Sequence, residues 1–291
     1  MPGESLGRVF RSRLGVRRSS RYALASSLGA LGVVLWALVI EPRRLVTNTV
    51  ELDVPRWLPE HAGLKVALLS DLHVGSPHWG VERMRELVER TNAEKPDLVL
   101  LAGDYMINSI PFGTWVAPEP VAAVLGALEA PLGVVAVLGN HDWYNDGETL
   151  TEQFRRHGVV VLENQVLPLD YRGRRFFVVG LADQLTRPQE VNETLARVPA
   201  GAPAIVLVHE PDVFPEIDER ASLTVAGHTH GGQVSLPLLG APIVPSKYGG
   251  RYAAGHVVEN GRHLFVTTGV GTSIYPVRLG VPPEISLLTL R

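Results

Sequence analysis

The stretch TVAGHTHGGQV, residues 224–234, places two histidines one residue apart on a short turn rich in glycine. His228 and His230 could belong to a polar surface turn, because Gly, Thr and His all tolerate turns. They could also bind a metal ion, since alternate residues of a tight turn can direct two ring nitrogens at one point and glycines allow close backbone approach. The turn alone does not decide between these two interpretations.

Other polar residues of the same kind follow apolar runs elsewhere in the chain. The runs around residues 64–70, 97–103, 133–139, 204–209 and 223–228 end at Asp71 and His73, at Asp104, at Asn140, His141 and Asp142, at His209, and at His228 and His230. Continuous apolar runs are typical of strands buried on both faces. Ligands of open α/β sheets gather at the carboxyl ends of strands, so we expect these residues to converge.

Seven of these residues are suitable metal ligands: Asp71, His73, Asp104, Asn140, His209, His228 and His230. The chain has no cysteine, so a metal must be held by His, Asp, Glu or Asn. One divalent ion needs about four to six ligands, and seven therefore suit two ions that share a carboxylate. We predict Asp104 as the shared ligand because it stands alone on its turn. Taken singly, each residue is more simply a capping Asp or a surface His.

The elements that position these residues follow an α/β pattern from about residue 62 onward. Short apolar runs alternate with helical stretches such as VERMRELVER, residues 81–90, whose apolar residues share one helix face. In the last third, the stretches RYAAGHVV, HLFVTTG and EISLLTL have only short Gly and Pro links between them. They predict a second, largely antiparallel sheet.

An uncharged stretch of 19 residues, 22–40, precedes this domain. As a helix it would be roughly 29 Å long, about the thickness of a bilayer core. A cleaved signal peptide is the alternative, but its apolar core usually has about 7–15 residues and a small-residue cleavage site. We therefore predict four segments: a basic segment 1–21, a transmembrane anchor 22–40, a linker 41–61 and a domain 62–291.

Charge is distributed unevenly along the chain. Residues 1–44 contain eight arginines and two glutamates, so they carry a net charge of +6. The net charge of the whole chain is −3, so the remaining residues carry −9. Such a negative domain is a poor candidate for binding nucleic acid, since that binding depends on neutralising phosphates.

Six arginines precede the anchor and three basic residues follow it, which predicts an extracytoplasmic domain by the positive-inside tendency. No protein partner is predicted.

The ordered series D-x-H, G-D, G-N-H-D, H and G-H-x-H resembles the calcineurin-like metallophosphoesterase superfamily, from about residue 64 to the end. The tail GHTHGGQVSLPLLGAPIVPSKYGGRY and GVGTSIYPVRLGVPPEISLLTLR, with the anchor, further resembles its bacterial membrane-associated branch. The resemblance implies a two-sheet β-sandwich flanked by helices, an αββα fold, with a two-metal centre of Mn, Fe or Zn. Ile107 stands where purple acid phosphatases have a ligating tyrosine, so a tyrosinate-bound ferric ion is not expected.

The resemblance also implies roles for single residues. One ion would be held by Asp71, His73, Asp104 and His230, and the other by Asp104, Asn140, His209 and His228. His141 would face the substrate as a catalytic residue, with Asp142 orienting its ring. A general acid at this place would protonate the leaving group.

Three further residues are candidates for substrate contacts. His78 lies soon after the first metal turn, although a helix-start or surface role is an alternative, and Tyr275 and Arg278 lie on a Gly- and Pro-rich loop. Arg278 could bind a phosphate through two parallel hydrogen bonds.

The predicted activity is hydrolysis of a phosphoester or pyrophosphate bond near a membrane, with a phospholipid or a lipid-linked nucleotide such as UDP-2,3-diacylglucosamine as candidate substrates by resemblance. A nuclease and a non-catalytic scaffold of the same fold are the alternatives. The charge of −9 disfavours the nuclease, and the retention of all seven ligands disfavours the scaffold.

Overall fold

The computed structural model describes Tyr22 and residues 25–291. Two six-stranded mixed sheets pack face to face, and helices cover the outer face of each sheet. The predicted two-sheet sandwich is thus confirmed. The basic segment 1–21 lies outside the described residues.

The first sheet has the order β1-β12-β2-β3-β4-β5. Its strands are β1 (Val46–Leu52), β2 (Leu64–Leu69), β3 (Leu98–Ala102), β4 (Val134–Val137), β5 (Val160–Val161) and β12 (Glu284–Leu290). Strands β2 to β5 are parallel, whereas β12 runs antiparallel to β2 and parallel to β1. The helices that follow these strands are α2 (Val81–Ala93), α3 (Pro118–Leu125), α4 (Asn140–Asn145) and α5 (Gly147–Arg156).

The second sheet has the order β10-β11-β9-β8-β7-β6. Its strands are β6 (Gln165–Tyr171), β7 (Arg174–Gly180), β8 (Ala204–Leu207), β9 (Leu223–Ala226), β10 (Gly255–Glu259) and β11 (Arg262–Val266), and the short helix α6 (Val191–Leu195) lies between β7 and β8. The four central strands β7, β8, β9 and β11 are parallel, and only the two edge pairs, β6 with β7 and β10 with β11, are antiparallel.

Two sequence-based expectations differ from this topology. EISLLTL forms β12 in the first sheet, between β1 and β2, and the second sheet is parallel at its centre, so a largely antiparallel second sheet is not what the chain forms. The segment predicted as a linker contains β1, which pairs with β12 over its whole length. The folded domain therefore begins before residue 62.

Strand β2 shows why these runs are apolar at every position. Val66 and Leu68 pack between the two sheets in the same cluster as Phe176, while Ala67 and Leu69 face the helices. Both faces of the strand are buried, and burial of a full aliphatic side chain stabilises the fold by about 1.5–3 kcal/mol. The layered core fixes the strand ends at one edge of each sheet.

The N-terminal helix α1 (Ala25–Arg43) is long and apolar enough to cross a membrane by length and composition, with a mean hydropathy of 1.6. Residues 25–36 are exposed, and Ala37 is the first buried residue. Its last turns are bound to the domain, since Trp79 Nε1 donates to Pro42 O at 3.0 Å. The apolar part of α1 therefore extends away from the sandwich.

Candidate metal centre

The strand ends bring the predicted metal ligands together. Three groups of side chains each offer ligand atoms within 4.8 Å of one another: Asp71, His73 and His230; His73, Asp104 and His141; and Asp104, His209 and His228. The groups share His73 and Asp104, so they form one continuous cluster. The convergence predicted from the ends of the apolar runs is present in the fold.

The spacing of the ligand atoms matches that of a coordination shell. His73 Nε2 lies 3.1 Å from His230 Nε2, and His209 Nε2 lies 3.2 Å from His228 Nδ1. Ligands that bind one ion at about 2.0–2.2 Å are separated from each other by roughly 3.0–3.5 Å. Asp104 Oδ2 lies 3.7 Å from His73 Nε2 and 3.2 Å from His209 Nε2, so one carboxylate oxygen approaches both halves of the cluster.

Asn140 supplies an independent sign that the cluster fits a cation. Its Oδ1 atom is buried and has no hydrogen-bond partner among the described residues. A buried polar atom without a partner costs about 1–3 kcal/mol, so such atoms usually have a ligand or another function. An amide oxygen is a normal ligand for a hard or borderline divalent ion.

Backbone hydrogen bonds set the orientation of the histidine rings. His73 Nδ1 donates to Met106 O at 3.2 Å, and His209 Nδ1 donates to Ala102 O at 2.6 Å, which leaves each Nε2 as the ligating atom. A hydrogen bond from the ring nitrogen that does not bind the metal fixes the tautomer of a metal-binding histidine. Carbonyl groups at the end of β3 and in the loop after it therefore orient two of the ligands.

The electrostatics favour neutral rings at His73 and His228 next to an ionised Asp104 carboxylate. Burial lowers the pKa of His73 to about 3 and that of His228 to about 4, so both rings are neutral near pH 7, which is their ligating form. Burial alone would raise the pKa of Asp104, but His209 beside it holds that pKa well below its usual value. Burial alone would lower the pKa of His209, but Asp104 beside it raises that pKa well above its usual value. The Asp104 carboxylate is therefore ionised, and its negative charge would stabilise a cation bound next to it.

The turns that carry these residues are conformationally strained. Five candidate ligands have left-handed backbone conformations, with φ between 42° and 69°: Asp71, His73, Asp104, His228 and His230. Residues other than glycine rarely adopt positive φ, at a cost of order 1–3 kcal/mol each, and such residues concentrate at functional sites.

Gly227 answers the question raised by the glycines around the two histidines. A Cβ at this position would overlap Ser70 Oγ and lie 2.5 Å from Asp71 Oδ2. The main chain approaches Asp71 so closely that His228 N donates to its Oδ2 at 2.9 Å. Only glycine fits between the two turns.

Replacing Gly227 by alanine is expected to displace the Asp71 turn. The metal content should fall, and the free energy of unfolding should decrease by about 1–3 kcal/mol, the usual cost of overpacking. Elemental analysis and thermal unfolding measure the two effects. Gly250→Ala is the matched control, because a Cβ at Gly250 meets no atom within 4 Å. Full metal content in Gly227→Ala would contradict this role.

His141 lies at the edge of the cluster. Its backbone N–H donates to Asp104 Oδ1 at 2.9 Å, and its ring lies edge-on to His73 with a centroid separation of 4.7 Å. Nδ1 has no hydrogen-bond partner among the described residues, and Nε2 lies 3.5 Å from Ser273 Oγ. The half-buried ring is therefore close to the ligands but is not held by another side chain through Nδ1.

The structure gives Asp142 a different role from the predicted one of orienting the His141 ring. Its carboxylate accepts backbone N–H groups from Asp104, Tyr105, Met106 and Gly139 at 2.9–3.0 Å. Asp142 stands at the third position of α4 and reaches back to the residue before the helix, as in a capping box. It fixes the turn that carries Asp104 relative to the one that carries His141.

Arg278 and His78 also lie elsewhere than expected for phosphate or substrate contacts. The Arg278 guanidinium is fully buried and donates to the carbonyl oxygens of Thr268, Gly271 and Val281. His78 Nε2 donates to Leu38 O at 2.8 Å, so its ring binds the end of α1. Tyr275 is exposed, and its substrate role stays a prediction.

Removal of the Arg278 guanidinium should destabilise the domain. Arg278→Met leaves three carbonyl groups without their donor, of which those of Gly271 and Val281 are in buried contacts, and we expect the free energy of unfolding to fall by about 2–4 kcal/mol. Denaturant unfolding measures this loss. Arg175→Met, which removes an exposed partner of Asp170, should change stability by less than about 1 kcal/mol. Equal stability of the two variants would contradict the structural role.

Two residues near His141, Gln233 and Ser273, were not among the predicted site residues. The Gln233 amide donates to the carbonyls of Ser273 and Tyr275, and its Oε1 accepts from Ser273 N, so Gln233 positions the Ser273 loop. Gln233 directly follows the His-Gly-Gly turn in sequence, and that proximity to His230 is the signal that was available.

The comparisons with known proteins agree with this geometry. The family model of the calcineurin-like phosphoesterases matches residues 64–232. The chain belongs to this family. It is 31% identical to YkuE of Bacillus subtilis, named as a metallophosphoesterase, over 92% of this chain and 93% of that protein. It is 33% identical to the phosphodiesterase YaeI of Escherichia coli over 79% of this chain and 83% of that protein.

A third relative comes from Danio rerio and is named as a transmembrane protein with a metallophosphoesterase domain. It is 29% identical over 84% of this chain and 57% of that protein. Family membership and the names of the relatives identify this chain as a hydrolase of phosphoester bonds.

Proposed function

We propose that this chain is a membrane-anchored phosphoesterase with two divalent metal ions, and that it hydrolyses a phosphodiester, phosphomonoester or pyrophosphate at a membrane surface. The main support for the proposal is that Asp104 and His73 each belong to two of the three groups of side chains that could bind a metal ion. A site for a single ion does not need a carboxylate that approaches two sets of ligands.

The proposed ligand sets divide the cluster into two halves. Asp71, His73, Asp104 and His230 would hold one ion, and Asp104, Asn140, His209 and His228 would hold the other. The 3.3 Å separation of His230 Nε2 and Asp71 Oδ1 supports the first set, and the partnerless Oδ1 of Asn140 supports the second. The oxygen and nitrogen ligands are compatible with Mn²⁺, Fe²⁺ or Zn²⁺.

Two divalent ions held by these residues would supply a water nucleophile at neutral pH and would compensate the charge of the phosphoryl oxygens. Side chains of the protein would protonate the leaving group and hold the turns of the site in place. His141, whose Nδ1 has no partner in the described part of the chain and whose backbone binds Asp104, would donate a proton to the departing oxygen. Asp142 keeps the Asp104 and His141 turns in register through its four backbone contacts.

Lipid-linked phosphoesters are the favoured substrate class. Helix α1 supports attachment to a membrane, and relatives named as transmembrane proteins agree with it. Anchoring raises the encounter of a site with lipid-borne substrates, among them phospholipids and lipid-linked nucleotides such as UDP-2,3-diacylglucosamine. The negative net charge of the domain opposes a nuclease, whose substrate is a polyanion.

The function is tested with the full-length chain in detergent, supplied with Mn²⁺. Aryl phosphodiesters, aryl phosphomonoesters, nucleotides and lipid pyrophosphates are compared, with Asp104→Asn as the inactive control. We expect metal-dependent hydrolysis of at least one class by the parent chain alone. Equal rates for the parent and Asp104→Asn would show that the activity does not arise from this site.

The membrane side is a separate prediction. Six arginines precede the uncharged segment 22–40 and three basic residues follow it, so the catalytic domain should lie outside the cytoplasm. A reporter active only in the cytoplasm, fused after Arg291, should give little signal, and the same reporter fused before residue 22 should give a strong one. A strong signal from the Arg291 fusion would reverse the orientation and favour a cytoplasmic nucleotide-lipid substrate.

A further inference from the structure

Seven large apolar side chains are exposed on loops near the metal cluster. Their exposed fractions range from 60% for Trp115 to 106% for Leu238. We name them the apolar rim: Phe112, Trp115, Leu238, Leu239, Ile243, Ile274 and Tyr275. Clustered exposed apolar side chains on a soluble surface are unfavourable and mark sites of contact with a protein or a membrane.

Each loop of the rim packs against a turn of the metal cluster. Thr114 N donates to Gly75 O at 2.8 Å, two residues after His73. The segment with Ile243 packs against the His230 turn, since a Cβ at Gly232 would lie 2.6 Å from Ile243 O. Ile274 and Tyr275 follow Ser273, whose Oγ lies 3.5 Å from His141 Nε2. The rim and the ligands therefore lie on the same side of the sandwich.

The end of α1 is bound to the same loops. Arg278 N donates to Ala37 O at 3.0 Å, three residues after Tyr275. Trp79 Nε1 donates to Pro42 O, and Trp79 O accepts from Gly75 N at 2.7 Å, next to the loop of Phe112 and Trp115. Ser235 N donates to Leu279 O at 2.8 Å, which joins the loop of Leu238 and Leu239 to this group. All three rim loops thus adjoin the point where α1 leaves the domain.

This placement identifies what the rim contacts. If the predicted anchor 22–40 crosses a bilayer, its exposed stretch 25–36 lies in the hydrocarbon, and the end of α1 with Arg43 and Arg44 lies at the interface with water. Trp36 beside Arg43 and Arg44 has the composition of such a boundary, where aromatic and basic side chains anchor membrane proteins. Because the rim loops bind this boundary segment, they lie at the depth of the lipid headgroups.

The backbone of the loop tips supports a role in contact. Phe112, Leu238 and Ile274 have φ values of 63°, 68° and 65°, the conformation that glycine adopts more readily. A branched or bulky residue at positive φ is strained, and strain of this kind persists where a side chain is needed for function.

We propose that the apolar rim inserts into the bilayer interface around the metal cluster, so that the site takes phosphoester headgroups directly from the lipid surface. The proposal rests on the proposed function and adds the source of its substrate to it. A soluble phosphoester would reach the site without the apolar rim. A lipid substrate would reach it because the inserted rim holds the site at the bilayer surface.

Spin labels test the insertion without reference to activity. The chain has no cysteine, so the single variants Trp115→Cys and Leu239→Cys can each be labelled specifically. The full chain is placed in bilayers of phosphatidylcholine and phosphatidylglycerol, and the access of oxygen and of a water-soluble nickel complex to each label is measured. Leu31→Cys, within α1, reports on the anchor, and Val258→Cys, exposed on β10, is the aqueous control.

We expect labels at positions 31, 115 and 239 to be accessible to oxygen and protected from nickel, and the label at 258 to be open to nickel. Nickel access at 115 and 239 equal to that at 258, with position 31 protected, would overturn the insertion while leaving the anchor in place. Protection of 115 and 239 from both reagents would show that a second protein chain covers the rim, which also overturns it.

Kinetics separate insertion from catalysis. The triple variant Phe112→Ser, Leu238→Ser and Leu239→Ser should lose about tenfold or more in the hydrolysis of a phosphoester lipid in vesicles, because three apolar side chains no longer enter the interface. It should keep its rate on a soluble aryl phosphodiester within about twofold. Equal losses on both substrates would overturn the docking role. A parent chain inactive on both substrates would refute the proposed function, and the label accessibilities would still decide the insertion.

Discussion

Replacement of Asp104 by alanine is expected to remove both metal ions and to lower turnover by about 10³-fold or more. Asp104 Oδ2 lies within 3.2 Å of His209 Nε2 and 3.7 Å of His73 Nε2, so its carboxylate serves both halves of the cluster. A bridging carboxylate fixes the two ions of a dinuclear centre relative to each other. Elemental analysis of the purified chain counts the ions per molecule.

Two further variants make this result specific. His230→Ala removes a ligand that lies next to His73 and Asp71, and it should weaken mainly one ion. Asp170→Ala removes an exposed carboxylate paired with Arg175 and should change neither metal content nor turnover. Two ions retained in Asp104→Ala would refute the bridging assignment.

Replacement of His141 by alanine is expected to leave both ions bound and to lower turnover by about 10²- to 10⁴-fold, the usual range for a general acid. The His141 ring lies edge-on to His73, and the His141 backbone N–H donates to Asp104, a bond that does not depend on the ring. The loss should be smaller for substrates with an acidic leaving group, since such a group departs with little need of a proton. Rates on aryl and alkyl phosphoesters measure this difference.

His157→Ala is the control for this variant, because His157 is exposed at the end of α5 and lies outside the cluster. It should retain the parent rates on both substrates. Equal losses for aryl and alkyl esters in His141→Ala would assign His141 to phosphate binding instead of proton donation.

The strands and the convergence of the ligands could be predicted from the sequence because both depend on local patterns. A run such as LVLLA, residues 98–102, is apolar throughout, and a strand buried between helices and a second sheet requires that. The polar residue after each run then lies at a strand end, independent of the order of the strands. Asp71, Asp104 and His209 were found in this way.

Pairing between distant strands could not be predicted in the same way. EISLLTL has the same apolar character whichever sheet it joins, and its partners β1 and β2 lie more than 200 residues away in sequence. Strand β1 has a half-polar pattern, VTNTVEL, because only its last residue is buried, and a half-exposed edge strand has a sequence like that of a linker.

Side-chain roles that depend on partners were the least predictable. Arg278 follows a Gly- and Pro-rich stretch, which suggests a phosphate contact, and Asp142 directly follows His141, which suggests that it orients that ring. In the structure both bind backbone groups: Arg278 binds three carbonyls, and Asp142 binds four N–H groups. Only Gly139 and Val281 are near in sequence, and the remaining partners are 7 to 38 residues away, so no local pattern reports the whole set.

Anomalous diffraction from crystals of the full-length chain grown with Mn²⁺ tests the dinuclear centre most directly. Two manganese peaks about 3.5–4 Å apart are predicted, both within bonding distance of the Asp104 carboxylate, with Asn140 Oδ1 bound to one of them. A single peak, or two peaks of which only one contacts Asp104, would contradict the account.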